Sequence, residues 1–377
     1  MTWCTCRFAG RVLLSCLLLL SVALYTYEQG RDAARCLPAA PARSHFTCPM
    51  HGYGWQLPGS SLLVASVYSS ESRWGNELSR YWQARGMAKL GGLSFLAAGD
   101  MSHAWLRFLP LYVPAGPSPA SCDAFDAACA ACSDWKYSHK CLGGWTAVGP
   151  EVVAETRAAL ARYAARHGRQ LPSFGAQDVV IHNRCSKDVW FWHGEYGPTA
   201  FSLYKELGGP ALNGARYARS RLLFRITQLS SPHAAGTITI VGVSSQERGP
   251  RAHAVYLGEG LFPPCAAKLE ALEATLRGWY PRAQIVRGEG FDTFDDFAHM
   301  VFAPTLVKDA SSFGLWAGMA NSGRVISAQL PSSVSAPTFD NPHWEWSAAV
   351  VLYPAVAAQM GLNTTDTDGI IRWLREH

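Results

Sequence analysis

The stretch Asp178-Val-Val-Ile-His182-Asn183-Arg184-Cys185-Ser186-Lys187-Asp188 reads as a strand that runs into a polar loop carrying reactive and charged groups. A β-branched run stops abruptly on polar groups, so His182, Arg184 and Asp188 are expected at or just beyond the carboxyl end of a strand. A guanidinium in that place meets phosphate oxygens bidentately and cannot lose its charge. The competing role for Arg184 is a structural ion pair. A second concentration runs from Thr293-Phe294-Asp295-Asp296-Phe297 to Ser311-Ser312-Phe313-Gly314-Leu315-Trp316-Ala317. Thr293 opens a capped helix with Asp295 and Asp296 near its positive end. Ser-Ser-Phe-Gly opens another, whose unpaired N–H groups and dipole favour an anion. The alternative there is a capped core helix with Trp316 packed inside. In Trp74-Gly75-Asn76-Glu77-Leu78 a Gly-Asn precedes a helix, either as an ordinary cap or as part of a site.

Taken in order, these segments resemble the fucosyltransferase superfamily, two-lobed inverting sugar transferases that include α1,2-, α1,6- and protein O-fucosyltransferases. Trp74 to Leu78, followed by Tyr81, Ala84-Arg85 and Ala88, resembles the Gly-Asn-x-Leu opening of the first helix in α1,2-type members. His182-Asn183-Arg184 is similar to the His-x-Arg-Arg-x-Asp signature, with Cys185 in place of the second arginine and Lys187 displacing the acid to Asp188. Phe313-Gly314-Leu315-Trp316-Ala317 resembles the Phe-Gly-x-Trp-Ala closing motif. The likeness lies in motifs and not over the whole length.

The resemblance implies an α/β fold of two Rossmann-like lobes of the GT-B type and a donor that is a GDP-sugar, GDP-fucose in the first instance, used without a metal or other cofactor. It puts His182 and Arg184 in the donor site, Arg184 on the diphosphate. Ser311, Ser312 and Phe313 would hold the same diphosphate. Asp296, sixteen residues before Ser312, falls where the superfamily pairs a carboxylate with guanine.

Sugar transfer needs a leaving diphosphate stabilised as its charge develops and an acceptor hydroxyl that loses its proton. Asp188, His193 and Glu195 are the candidate catalytic bases near Arg184, and sequence does not choose among them. Trp190, Phe191, Trp192 and Tyr196 either stack on a sugar or plug a core, the latter being the first reading. Asp366-Thr367-Asp368 has the spacing of a metal-binding DxD, but its polar surroundings read as a surface loop. Two alternatives remain open: a transferase of this fold with another nucleotide sugar, and a non-catalytic glycan-binding relative. A hydrolase finds no GxSxG elbow.

Positioning these residues calls for alternating strands and helices. Leu62 to Tyr68, a helix from Glu77 to Leu90, and Leu93 to Ala98 form a β-α-β unit. An irregular Cys-rich region, Pro110 to Gly149, precedes a helix Pro150 to His167 and a strand Asp178 to His182. Thr237 to Val243 reads as a buried parallel strand, Pro264 to Tyr280 as an amphipathic helix with Leu269, Leu272 and Leu276 on one face, and Ala283 to Val286 as a further strand. Doubly wound sheets follow, with an acceptor-side lobe at 56–175 and a nucleotide-sugar-binding lobe at 176–377.

The chain has 377 residues, 49% apolar and 16% charged, enough for large cores and against long disorder. Its net charge of +5 is scattered, without the basic stripe that a nucleic-acid partner would need. Arg7 and Arg11 precede the sixteen-residue apolar run Val12 to Tyr27, shorter than the roughly 17 to 25 residues of a typical span. The first expectation is an uncleaved anchor at 12–27 with a cytosolic tail at 1–11 and a stem at 28–55; a signal peptide and a buried helix are the alternatives. That places a single-pass type II protein in the Golgi or ER membrane with its bulk in the lumen, or a secreted protein, acting on a glycan or glycoprotein. Cys4 and Cys6 are free tail thiols or palmitoylation sites. Cys36, Cys48, Cys122, Cys129, Cys132, Cys141, Cys185 and Cys265 are expected to pair in an oxidising lumen, Cys122 to Cys141 as a local stapled loop, with zinc as the alternative at Cys129-Ala-Ala-Cys132. Asn363-Thr364-Thr365 is a glycosylation sequon.

Overall fold

A computed structural model describes residues 54–56, 62–66, 74–90, 92–98, 104–115, 142–185, 190, 197–208, 236–242, 262–289, 291–309, 311–328, 344–347, 351–352, 354–363 and 365–377. The apolar run at 12–27, the cysteines up to Cys141, and Asp188, Phe191, Trp192, His193, Glu195 and Tyr196 lie outside these residues. Among the described residues no helix is long and apolar enough to cross a membrane.

Two compact units are present. The first takes its described residues from Met1–Ser69, Arg80–Met101 and Pro110–Val148, the second from Ser70–Ser79, Ser102–Leu109 and Gly149–His377. In the first, β1 (Gly54–Gln56), β2 (Leu62–Ser66), β3 (Ser94–Ala98) and β4 (Tyr112–Val113) form a sheet in that order. The β2–β3 pair is parallel and the two outer pairs are antiparallel. A parallel pair requires a crossover, which α1 (Trp74–Leu90) supplies. From Arg80 onward α1 belongs to this unit, where Tyr81 meets Trp82 and Phe95 edge-on and donates its hydroxyl to the Pro110 carbonyl at 2.7 Å. The burial of the ring and a satisfied hydroxyl are both needed for a tyrosine to stabilise a core.

Among its described residues the second unit has six strands: β5 (Val179–His182), β6 (Thr237–Val241), β7 (Gln284–Arg287), β8 (Thr305–Lys308), β9 (Arg324–Ala328) and β10 (Trp344–Ser347). Their order is β10-β9-β8-β5-β6-β7 and every pairing is parallel. The helices are α2 (Leu142–Arg166, in this unit from Gly149), α3 (Pro263–Trp279), α4 (Thr293–Phe302), α5 (Ser312–Ala320), α6 (Pro354–Gln359) and α7 (Thr367–Glu376), with 3₁₀ segments at Ala104–Phe108 and Phe201–Gly208. This is the expected α/β class. Side chains alternate across each strand, so Ile181, Ile240, Val307 and Ile326 pack with Leu269, Leu272 and Leu276 of α3 and with Ile370, Trp373 and Leu374 of α7. The intervening residues turn to the α4–α5 side, where α5 comes so close that a Cβ on Gly318 would stand 3.2 Å from Val325. Burial on both faces is why these strands read as continuous apolar runs.

Two helix starts are among the places where the structure differs from the sequence expectation. The helix expected to begin at Pro150 begins at Leu142 and runs through the proline. A proline forfeits one backbone hydrogen bond and bends a helix, and Val148 and Val152, on either side of this one, are both buried. Asp366-Thr367-Asp368 is the start of α7 and not a loop. Asp366 caps it, accepting from the Gly369 N–H at 2.9 Å, and Asp368 lies in the first turn. Orphan donors at a helix start account for this acidic pair. Cys185 is bonded to Cys265 across 80 residues of sequence, a closure that in the chain-entropy treatment stabilises by roughly 4.5 kcal/mol.

Candidate functional site

From β5 the chain steps outward through β6 and β7 to one edge, then returns to β8 on the other side of β5 and continues to β9 and β10. Connections leaving β5 and β8 therefore diverge, and the carboxyl ends of these two strands form the topological switch point at which open α/β sheets generally bind ligands. His182 and Lys308 are register partners at that point. One strand delivers His182, Asn183 and Arg184 to the rim, and the other delivers Lys308, Asp309 and the Ser311 turn.

The tip of α5 is a capped helix start. Ser311 is the N-cap and its hydroxyl accepts from the Gly314 N–H at 2.8 Å. Ser312 and Phe313 are half-buried, and their N–H groups are among the donors that a helix cannot satisfy from within. The Phe313 ring is wedged among Trp74, Phe297 and His182, with centroids at 6.4, 5.1 and 6.0 Å. Its side chain is therefore taken up by packing. Trp316 is buried, and its indole donates to the Ser79 hydroxyl at 2.7 Å; the Ser79 hydroxyl in turn donates to the Gly75 carbonyl at 2.9 Å. The capped start of α5 and the packed tryptophan thus belong to the same helix.

Gly75 reveals what the first segment does. A Cβ at this position would lie 2.5 Å from Phe313 N and 2.5 Å from Ser312 Oγ. The start of α1 is pressed against the start of α5, so two positive helix ends meet. Gly75→Ala is expected to force them apart and destabilise the protein by about 1–3 kcal/mol, the usual range for overpacking. Thermal melting of the variant measures this, and an unchanged midpoint would contradict the contact.

His182 is 5% exposed, and its Nδ1 lies under Gly314, where a Cβ would stand 2.9 Å away. Burial pushes its pKa down to about 3 against the opposing field of Asp309, with Arg184, Lys308 and Lys268 pushing the same way as burial. The imidazole is neutral, and its surroundings are cationic. Lys308, 3% exposed, has its ammonium pulled down to about 8 by burial while Asp309 opposes the shift. It donates to the Asp309 carbonyl at 3.4 Å and lies 5.6 Å from the centre of the Trp344 ring. At neutral pH it keeps most of its charge. Asn183 continues the β5–β6 ladder by donating to the Val241 carbonyl at 3.0 Å. Gly242 then turns away with φ +82°, in the left-handed region that glycine tolerates, and a Cβ there would approach the Asn183 carbonyl to 2.9 Å.

Sequence reasoning missed the group at the centre of the rim. Asp309 is 2% exposed and accepts from the Tyr204 hydroxyl at 2.9 Å, the Arg184 N–H at 3.0 Å and the Lys268 ammonium at 3.1 Å. Lys268, wholly buried, also donates to the Arg184 carbonyl at 3.1 Å. Burial and the neighbouring Asp309 charge push the Tyr204 hydroxyl well above its usual pKa. One signal was present in the sequence: Lys268 stands on the same helical stripe as Cys265, Leu269, Leu272 and Leu276, where a solvated lysine has no place.

The remaining candidates are placed as follows. Asp296 is completely buried in the first turn of α4, so in the described conformation its carboxylate is enclosed. Its neighbours Asp292 and Asp295 form a reciprocal capping box and bind Arg169 at 2.6 and 2.7 Å. Burial opposes ionisation of Asp292, and the Arg169 and backbone hydrogen bonds outweigh it, holding the carboxyl below its usual range. Trp190 belongs to the core between the sheet and α3. Asp188, His193 and Glu195 lie outside the described residues. Among the described residues no cluster of three His, Cys, Asp or Glu could hold a metal ion.

Comparison with known proteins finds no family model, no curated protein and no solved structure that matches the chain.

Proposed function

We propose that the chain is a glycosyltransferase that moves a sugar, fucose in the first instance, from a GDP-sugar to a hydroxyl of a glycan or glycoprotein, by metal-independent inverting displacement. Two Rossmann-like lobes of the GT-B type, an N-terminal anchor and a lumenal setting belong to the same proposal. The observation that carries it is the meeting, within one unit, of three segments far apart in sequence. Gly75 lies against Ser312 and Phe313, His182 lies under Gly314, and the main chain of Arg184 is tied to Asp309, two residues before Ser311. Two of them follow the carboxyl ends of β5 and β8, the switch point at which open parallel sheets bind ligands.

The electrostatics support a diphosphate there. Two helix starts, Arg184 and Lys308 supply positive potential, and the Asp309 carboxylate that lies with them is paired with the Lys268 ammonium. Fixed donors aimed at the departing diphosphate would stabilise its developing charge without reorganisation. Cys185, where the resembling motif has a second arginine, is used as a covalent tether instead of a phosphate contact. The base would come from Asp188, His193 or Glu195, in the segment that follows.

Calorimetry of the full chain against GDP, UDP and GDP-fucose tests the reading. GDP and GDP-fucose are expected to bind and UDP to bind more weakly. Arg184→Ala is expected to weaken GDP by roughly 10- to 100-fold, the value of a charge-assisted hydrogen bond to phosphate. Equal GDP affinity in the variant would remove Arg184 from the donor site and with it the transferase reading.

A further inference from the structure

We propose that Asp309 is a positioning residue for the diphosphate site, holding the main chain of Arg184, together with Lys268 and Tyr204, where its guanidinium meets the phosphates. The inference rests on the reading of Arg184 as the phosphate-gripping residue. Neither Lys268 nor Tyr204 belongs to a segment that resembles the transferase motifs, and the resemblance assigns no role to Asp309.

The geometry points to this role because the three residues that leave β5 are each held by a different device. Asn183 still pairs with β6 through the Val241 carbonyl. At Arg184 the ladder has ended, and a backbone with buried polar groups must find partners elsewhere. Its N–H goes to Asp309 Oδ2 at 3.0 Å and its carbonyl accepts from Lys268 Nζ at 3.1 Å, so both sides of the residue are fixed by side chains of other elements. Cys185 is then bonded to Cys265, on α3 one turn before Lys268. Tyr204 orients the carboxylate by donating to Oδ1 at 2.9 Å, which leaves Oδ2 for Arg184 and Lys268.

The arrangement couples the two halves of the proposed site through one group. Asp309 directly follows β8 and precedes the Ser311 cap by two residues, so the carboxylate that holds Arg184 is part of the turn that starts α5. Its ammonium partner makes the pair neutral, and the carboxylate can stand at an anion site without repelling the anion. A pair kept only for stability has no need of this placement. Removing one member of a buried ion pair is strongly destabilising, whereas replacing both with apolar groups of similar volume is commonly tolerated. The two roles can therefore be separated.

The test compares full-length wild type with the double variant Lys268→Met plus Asp309→Leu, reading the melting midpoint, the exchange rate of the Arg184 amide and the affinity for GDP. The expected result is a melting midpoint near that of wild type, exchange at least about tenfold faster, and GDP binding roughly 10- to 100-fold weaker, as when a binding group is displaced by about an ångström. A double variant that melts normally and binds GDP as tightly as wild type overturns the proposal. If the double variant does not fold, Tyr204→Phe replaces it. That variant removes a single hydrogen bond and is expected to speed Arg184 exchange and weaken GDP severalfold; no change in either overturns the proposal equally. GDP binding that requires Arg184 but is indifferent to these substitutions sinks the positioning role alone. Wild-type protein that binds no GDP sinks the donor-site reading and this role with it.

Discussion

As pH falls below about 6.5, the full chain is expected to lose stability at up to about 1.4 kcal/mol per pH unit, reaching nearly 3 kcal/mol at about pH 4.5. The cause is His182, whose imidazole is held at a pKa of about 3 in the folded protein, by burial first and then by Arg184, Lys308 and Lys268, against the field of Asp309. The unfolded chain takes up the proton near pH 6.5 and the folded chain does not, so between these limits the unfolded state binds more protons. Stability therefore rises with pH through this window and falls with acidification. Half-buried His299 is shifted in the same direction by desolvation and adds to the trend. The comparison that isolates His182 is a urea-unfolding series from pH 7 to 4.5 on wild type and His182→Gln. The variant is expected to have the shallower dependence; equal slopes would mean that the ring is solvated or charged in the fold.

The largest single-site loss of stability is expected from Asp309→Ala. The substitution leaves the Lys268 ammonium with no counter-charge in a site that is 0% exposed, and it removes the acceptor for both Tyr204 Oη–H and the Arg184 N–H. Breaking a buried pair in this way costs about 3–5 kcal/mol, a large share of the roughly 5–15 kcal/mol that a domain has in total. Urea denaturation of the single variant measures the loss. Adding Lys268→Met to Asp309→Leu is expected to recover most of it, because the uncompensated charge disappears and the two effects are strongly coupled. A loss below about 1 kcal/mol in Asp309→Ala would show that water reaches the cluster and that the pair is not buried.

Much of the fold was legible along the chain. The run Val179 to His182 and the polar break after it place a strand and its carboxyl end within a residue of where they occur. The stripe Leu269, Leu272, Leu276 marks the buried face of α3, and Thr293 and Ser311 mark helix starts that the structure caps with Asp292 and with Ser311 itself. Pro150 and Asp366 were misleading for one reason. In each case a local signal, a helix breaker or a metal-like acidic pair, has a second use that depends on what lies on either side. Pro150 is carried inside a helix that buries Val148 and Val152, and Asp366 caps α7 because Ile370, Ile371, Trp373 and Leu374 need a helix to reach the core.

The candidate site divides along a similar line. Arg184 keeps its charge in any surroundings, Ser311 and Gly314 form a cap across three residues, and the β-branched runs seek a sheet. These follow from covalent structure and from neighbours within a turn or two, and they can be read in a one-dimensional string. The neutrality of His182, the partnership of Lys268 with Asp309, the bond from Cys185 to Cys265 and the need for a missing side chain at Gly75 cannot be read there. Each depends on segments dozens to hundreds of residues apart arriving at the carboxyl edge of one sheet, and burial, pairing and steric fit acquire values only after strand order has chosen which side chains share that edge.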